Sequence, residues 1–297
     1  MSKLSIPISN FLTGIFGIGL SIISLYILET NYKILDQLFN VQQINYIAIG
    51  LFIFFYTIAL ILKPVRFYYH LDKPTYRDYR SGFYIGNFFN NILPFRLGDL
   101  LRIFFFTDFK KSKAIFLIVL EKILDLFSLV ILLSLIIFLS MGLRHTYLLT
   151  YFISILIFFS FFITFVFELK LTPNVLEKSS FTSNVKVLII TLSAWTFEGL
   201  SYASFFYIFE DLDFWKGFSF MPIAALSSII PSAPGYIGVI NYAMTSWSSF
   251  LDLFESSYAY YSFLIVFLMW FTTCIMGVLF LIKSPKLVAN FFKSLYK

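Results

Sequence analysis

Long runs of apolar residues alternate along this chain with short polar segments, and the alternation predicts an all-α polytopic membrane protein. A helix that crosses a bilayer needs about 20 mostly apolar residues. Residues 11–28, 44–62, 126–143, 146–167 and 187–209 each meet that length within a few residues, and 256–282 is a further such run. The first run is long and no small-x-small cleavage site follows it before Glu29, so it reads as a span rather than a signal peptide.

Two apolar stretches do not fit single crossings. Lys63, Arg66, Lys73, Arg77 and Arg80 follow the second run, whereas the preceding segment, 29–43, holds only Lys33. Basic loops stay cytoplasmic, so the 63–82 loop is expected inside. Lys110, Lys111, Lys113 and Lys122 mark a second basic loop at 107–122, which leaves the largely apolar segment 82–106 with both ends inside. Such a segment is expected to enter and return, with its break at the Asn90-Asn91-Ile92-Leu93-Pro94 run. Beyond it the Arg144 and His145 turn is expected outside, the loop with Lys170, Lys178 and Lys186 inside, and Glu210, Asp211 and Asp213 outside. Residues 217–251 then carry no charge at all, too long a stretch for one crossing of about 30 Å. Pro231, Pro234, Gly235 and Gly238 interrupt it near the middle. With Asp213 before it, Asp252 and Glu255 after it, and Lys283, Lys286, Lys293 and Lys297 beyond the last run, it reads as a second hairpin, entering from outside.

The expected order is therefore about six spanning helices plus two re-entrant helical hairpins in one domain, 1–297. The halves 1–143 and 144–297 form an inverted repeat. Such repeats bring broken helices together near the midplane, where their open backbone groups line a substrate path.

Composition changes this picture little. Residues are 59% hydrophobic and only 13% charged, which excludes a water-soluble globule, whose charged share is about a quarter. The 41 phenylalanines are read as codon bias, and the lone Cys274 as a packing residue. The net charge of +6 reflects basic cytoplasmic loops rather than a nucleic-acid partner. His70 and His145 lack metal-ligand spacing, and there is no Walker loop, zinc motif or nucleophile elbow, so no cofactor or metal is expected.

Charged residues inside apolar segments carry the functional reading, because each costs roughly 2.5 to 3.5 kcal/mol at a helix centre and so faces a cavity or a partner. Arg96, Asp99 and Arg102 lie in the first hairpin, and their i, i+3 spacings place Asp99 near both arginines if that arm is helical. One carboxylate does not neutralise two guanidiniums, and arginine is a good bidentate partner for a headgroup phosphate. The bland alternative is that the arginines snorkel to the surface or pair with Glu121 and Asp125. Those two carboxylates share a helical face at the start of the next span, beside Lys122, and are read first as salt-bridge formers. Glu198 stands at mid-span beside Trp195, as a proton carrier if unpaired or as the partner of a hairpin arginine. Gly82 and Gly86, like Gly14 and Gly17, are read as helix-packing positions.

Three motifs taken together resemble the lysylphosphatidylglycerol synthase transmembrane-region family: residues 90–102 (NNILPFRLGDLLR), 121–125 (EKILD) and 231–238 (PSAPGYIG). The family patterns look like N-N-x-x-P-x-R-x-G-E-x-x-R, E-R-x-x-D and P-x-x-P-G-G-x-G-x-x-E. This chain departs from them with Asp99 for glutamate, Lys122 for arginine, Tyr236 for glycine and Asn241 for glutamate. The resemblance implies lipid translocation, with aminoacylated phospholipids and polyprenyl-linked sugars among the wider family's substrates. Motifs and mid-span charges together give Asn90, Asn91, Arg96, Asp99, Arg102, Glu121, Lys122, Asp125, Glu198 and Asn241 as the expected substrate-site residues, with Pro94, Gly98, Pro231, Pro234, Gly235 and Gly238 as hairpin breaks.

The resulting expectation is a flippase or scramblase-like lipid transporter, not an enzyme, that moves a phospholipid or polyprenyl-linked glycolipid between leaflets of a bacterial or archaeal cell membrane. Both termini are expected in the cytoplasm. Two other classes compete: a membrane-embedded lipid-modifying enzyme using Glu121, Asp125 and Glu198, and a non-transporting subunit that supports a glycosyltransferase or synthase. A homo-oligomer is compatible with each.

Overall fold

The computed structural model describes residues 8–33, 45–93, 96–106, 111–141, 181–230 and 232–285. Among them every regular element is helical: α1 (Ile8–Tyr32), α2 (Tyr46–Val65), α3 (Lys73–Ile92), α4 (Leu97–Leu101), a 3-10 turn at Arg102–Phe105, α5 (Lys111–Met141), α6 (Phe181–Glu210), α7 (Phe214–Ser227), a 3-10 turn at Pro234–Tyr236, α8 (Val239–Phe250) and α9 (Glu255–Lys283). The expected span at 146–167, the Arg144 and His145 turn, Lys110, Lys170, Lys178, the lysines beyond Lys283, and the break residues Pro94 and Pro231 lie outside the described residues.

Helix starts follow local capping chemistry. The Asp72 carboxylate accepts the Thr75 amide at 3.2 Å and Pro74 sits in the first turn of α3, where its missing N–H costs nothing. Asp213 does the same for α7, accepting from Trp215 N at 3.0 Å and Lys216 N at 3.2 Å. Two expected loops are corrected here. Helix α3 begins at Lys73, well inside the 63–82 loop, and α5 begins at Lys111, inside the 107–122 loop. Lysines and arginines are good helix formers, so a charge run that reports membrane side does not end a helix.

By length and composition Tyr46–Val65 and Glu255–Lys283 are able to cross a membrane. In α9 the buried face mixes Ala259, Ser262, Thr272, Thr273 and Gly277 with Tyr258, Ile265, Val266 and Leu268, whereas Phe267, Phe271, Ile275, Leu279 and Ile282 are exposed. A helix at a water surface turns a polar face outward, not a row of large apolar side chains.

The chain divides into two compact units that interleave along the sequence. One comprises Met1–Tyr46, Ser81–Thr107 and Ile223–Lys297, the other Ile47–Arg80 and Asp108–Pro222. In the first, α9 packs with α1 and α8, Tyr84 stacks on Phe280 with ring centroids 4.2 Å apart, and Gly277 leaves room for Phe88. In the second, Phe52, Tyr202, Phe205, Phe206 and Phe220 form an aromatic core in which neighbouring rings meet at 4.5 to 6.0 Å. Gly199 and Gly217 admit Phe218 and the Ala203 backbone there.

Candidate functional site

Both broken helices contribute to the first unit. Helix α3 ends at Ile92 with Leu93 N donating to Phe89 O at 2.7 Å, and the chain restarts as α4 after Arg96. Arg96 has φ 54° and ψ 33°, a left-handed conformation that costs a non-glycine residue about 1 to 3 kcal/mol and persists only where surroundings hold it. Its guanidinium is held on three sides. Nη1 donates to Ser228 O at 3.1 Å, Nε lies 3.4 Å from Asp99 Oδ2, and the group sits 5.4 Å from the Tyr236 ring centroid.

Asp99 is the hinge of this cluster. Its other oxygen lies 3.6 Å from Arg102 Nη1, so one carboxylate faces both arginines, as i, i+3 spacing on a helical arm requires. Asp99 N donates to Asn90 Oδ1 at 3.1 Å, which ties the returning arm to the end of α3. Arg102 is buried, its guanidinium 5.2 Å from the Phe83 ring. Gly86 makes room for its stem: a side chain at 86 would collide with Arg102 Cδ and Gly98 O. Gly98, expected as a hairpin break, is instead helical and buried within α4. A Cβ at 98 would fall 2.6 Å from both Asn90 N and Asn90 Oδ1, so glycine there serves close approach of the two arms.

The second break runs from Ser228 to Gly238. Gly235 and Gly238 have φ 68° and 90°, and Tyr236, where the resembling family has glycine, keeps φ 60°. Ala233 N donates to Ser21 Oγ at 2.9 Å, and Trp270 Nε1 reaches Asn91 O at 3.2 Å beside Gly235. Asn241 closes the turn: Oδ1 accepts from Gly238 N at 2.9 Å and Nδ2 donates to Ser262 Oγ at 3.0 Å. Its side chain thereby holds the backbone, the part a capping residue plays. Asn91 Nδ2 faces Cys274 Sγ at 3.8 Å. Two buried polar atoms of this unit, Asn90 Nδ2 and Ser232 Oγ, make no hydrogen bond among the described residues.

The remaining site residues fall in the second unit. Arg66 Nη1 lies 2.6 Å from Asp125 Oδ1, and Trp195 Nε1 donates to the same oxygen at 2.9 Å. Tyr79 donates to Glu121 Oε2 at 2.7 Å, and Lys122 Nζ is 3.8 Å from Glu121. Glu198, expected to stand unpaired or to meet a hairpin arginine, pairs with Lys63 Nζ at 2.5 Å, and that ammonium also lies 3.9 Å from the Trp195 ring centroid. Lys63, Arg66 and Tyr79 were not expected as site residues. Lys63 and Arg66 register in the sequence as topogenic charges, and their one further signal is position, since they flank Pro64 where an apolar run ends.

Among the described residues no group of three metal-ligating side chains is present. Guanidiniums, amides and hydroxyls converge on a broken helix in one unit, and buried ion pairs occupy the other.

No curated protein and no solved structure matches the chain. The model of the family described as Lysylphosphatidylglycerol synthase TM region matches residues 14–277, which take in all three sequence motifs and both helix breaks. Over most of its length, then, this is a membrane protein tied to lipid metabolism, and the chain belongs to the lysylphosphatidylglycerol synthase TM region family.

Proposed function

We propose that this chain is a flippase or scramblase-like transporter that moves a phospholipid or polyprenyl-linked glycolipid between leaflets, with Arg96 and Arg102 binding the headgroup phosphate. The observation that carries the reading is the pair of arginines set against one aspartate at a helix break, in a membrane family tied to lipids. Two guanidiniums offer planar, permanently charged donors to phosphate oxygens, and Asp99 holds them apart in a fixed geometry. The nearby buried donors Asn90 Nδ2 and Ser232 Oγ support the same chemistry.

In this reading the chain crosses the bilayer several times with both termini in the cytoplasm. The segments 82–106 and 217–251 are re-entrant hairpins related by an inverted repeat, and they open a polar path toward lipid. Translocation needs no covalent step, so the protein is not an enzyme, and its partner is the lipid itself.

Purified protein reconstituted in liposomes with a fluorescent anionic phospholipid is expected to speed the lipid's appearance in the opposite leaflet. Arg96→Ala, the less buried of the two arginines, should fold and lose this activity. An Arg96→Ala protein as active as wild type would remove the arginine from the mechanism.

A further inference from the structure

We propose that a basic, tyrosine-rich edge of the second unit binds anionic phospholipid headgroups. The surface shares no residue with the hairpin arginines, and the inference does not rest on the transport reading above.

Three tyrosine rings form an unbroken row on this edge. Tyr69 meets Tyr68 with ring centroids 5.3 Å apart, and Tyr68 meets Tyr76 at 5.0 Å, each pair edge to face. A cation closes each end of the row: Lys186 Nζ lies 4.3 Å from the Tyr69 ring centroid, and the Arg80 guanidinium lies 5.8 Å from that of Tyr76. The row joins the turn after α2, the first half of α3 and the start of α6, and Tyr68, Tyr69 and Lys186 are exposed. A cation seated on a ring face is held in place while its N–H groups stay able to donate to an anion.

Helix α3 extends the positive charge. Lys73, Arg77 and Arg80 are exposed at i, i+4 and i+7, on the face that also carries Tyr76, whereas Asp78 and Tyr79 are buried. Neither nearby carboxylate offsets them at the surface. Asp72 is half-buried and caps the Thr75 amide, and Asp78 lies 3.9 Å from Arg77 Nε on a side chain that remains 71% exposed. Every exposed charged residue of 66–80 is therefore basic.

The rings decide which anion fits. Helix α2, able to cross a membrane by length and composition, ends at Val65 just before this turn. Tyrosines gather at headgroup depth, where an apolar ring and a polar tip are both accommodated, and anionic lipid attracts Lys and Arg held near its surface. A soluble anion would find the same cations but would leave the exposed rings unused.

Native mass spectrometry of the detergent-purified protein, titrated with phosphatidylglycerol or phosphatidylcholine, tests the surface. The first phosphatidylglycerol is expected to bind about fivefold or more tightly than phosphatidylcholine, roughly the factor that one Lys or Arg near an anionic headgroup supplies. Lys73→Gln, Arg77→Gln and Lys186→Gln combined should erase the preference, and the charge-keeping set Lys73→Arg, Arg77→Lys and Lys186→Arg should retain it. Lys186→Gln alone should weaken the preference, whereas Lys283→Gln, which removes an exposed cation at the end of α9, should not. Equal affinity for the two lipids in wild type overturns the proposal, and so does a preference lost in the charge-keeping set. An equal loss in Lys283→Gln and Lys186→Gln reduces the effect to diffuse charge and likewise overturns it. A preference that survives the three glutamines and disappears in Arg96→Ala assigns the lipid to the hairpin and removes it from this surface.

Discussion

Close approach at single residues decides how this site is assembled. Gly98 admits α4 against the end of α3, and Ala there puts a methyl 2.6 Å from Asn90 N, with backbone rather than a flexible side chain in the way. Overpacking of this kind costs about 1 to 3 kcal/mol or more, so Gly98→Ala is expected to lower the thermal midpoint in detergent clearly. Gly50, also helical but with nothing within 4 Å, is the control; Gly50→Ala should be neutral or gain roughly 0.5 to 1 kcal/mol. Arg66 gives the electrostatic counterpart. It is fully buried against Asp125, and Arg66→Met leaves carboxylates in an apolar interior without their cation. Breaking a buried pair from one side costs about 3 to 5 kcal/mol. Scanning fluorimetry should therefore rank Arg66→Met below Gly98→Ala, and a double variant that also removes Asp125 should recover part of the loss. In the sequence Asp99 was legible as the partner of both arginines because i, i+3 spacing is a local rule. The Lys63–Glu198 pair was not, because it joins positions 135 residues apart and no local rule brings them together.

The elements that matter most are the two breaks, and these were the legible part. Proline lacks a donor and glycine tolerates left-handed backbone, so clusters of both in long apolar runs announce an interrupted helix. The structure interrupts α3 after Ile92 and α7 after Ser227, where those clusters lie. Helix starts were less legible, since α3 and α5 extend through basic stretches that the charge census counted as loops. The turn at 232–238 is set by Asn241, whose role as a cap was not legible from a motif in which that position departs from the family pattern. Asn241→Ala removes the acceptor for Gly238 N and the donor to Ser262, and the loss of such a cap costs about 0.5 to 2 kcal/mol. Gly235→Leu is the harsher test. At φ 68° a side chain is strained by about 1 to 2 kcal/mol, and its Cβ would meet Trp270 Cδ1 at 3.2 Å. It is expected to displace Trp270 from Asn91 and abolish lipid transfer while the protein still reaches the membrane, read by the liposome assay and by immunoblot of membrane fractions.

At the scale of the whole molecule, each compact unit draws segments from both sequence halves. Orientation in the bilayer is a separate matter that loop charge decides. The last turn of α2, the turn after it and the first half of α3 carry Lys63, Arg66, Lys73, Arg77 and Arg80, whereas the end of α6 and its connection to α7 carry Glu210, Asp211 and Asp213. Basic loops resist translocation, so the first of these is expected in the cytoplasm and the second outside, an odd number of crossings apart. Single cysteines on a Cys274→Ser background test this, since serine also accepts from Asn91 Nδ2 and preserves that contact. Arg77 is 71% exposed and Glu210 is exposed, so a cysteine at either position presents its thiol without repacking. In intact cells a membrane-impermeant maleimide is expected to label Glu210→Cys and to spare Arg77→Cys until the membrane is permeabilised. Labelling of Arg77→Cys in intact cells would invert the orientation, and equal labelling of both would place the two loops on one side and remove the odd number of crossings between them.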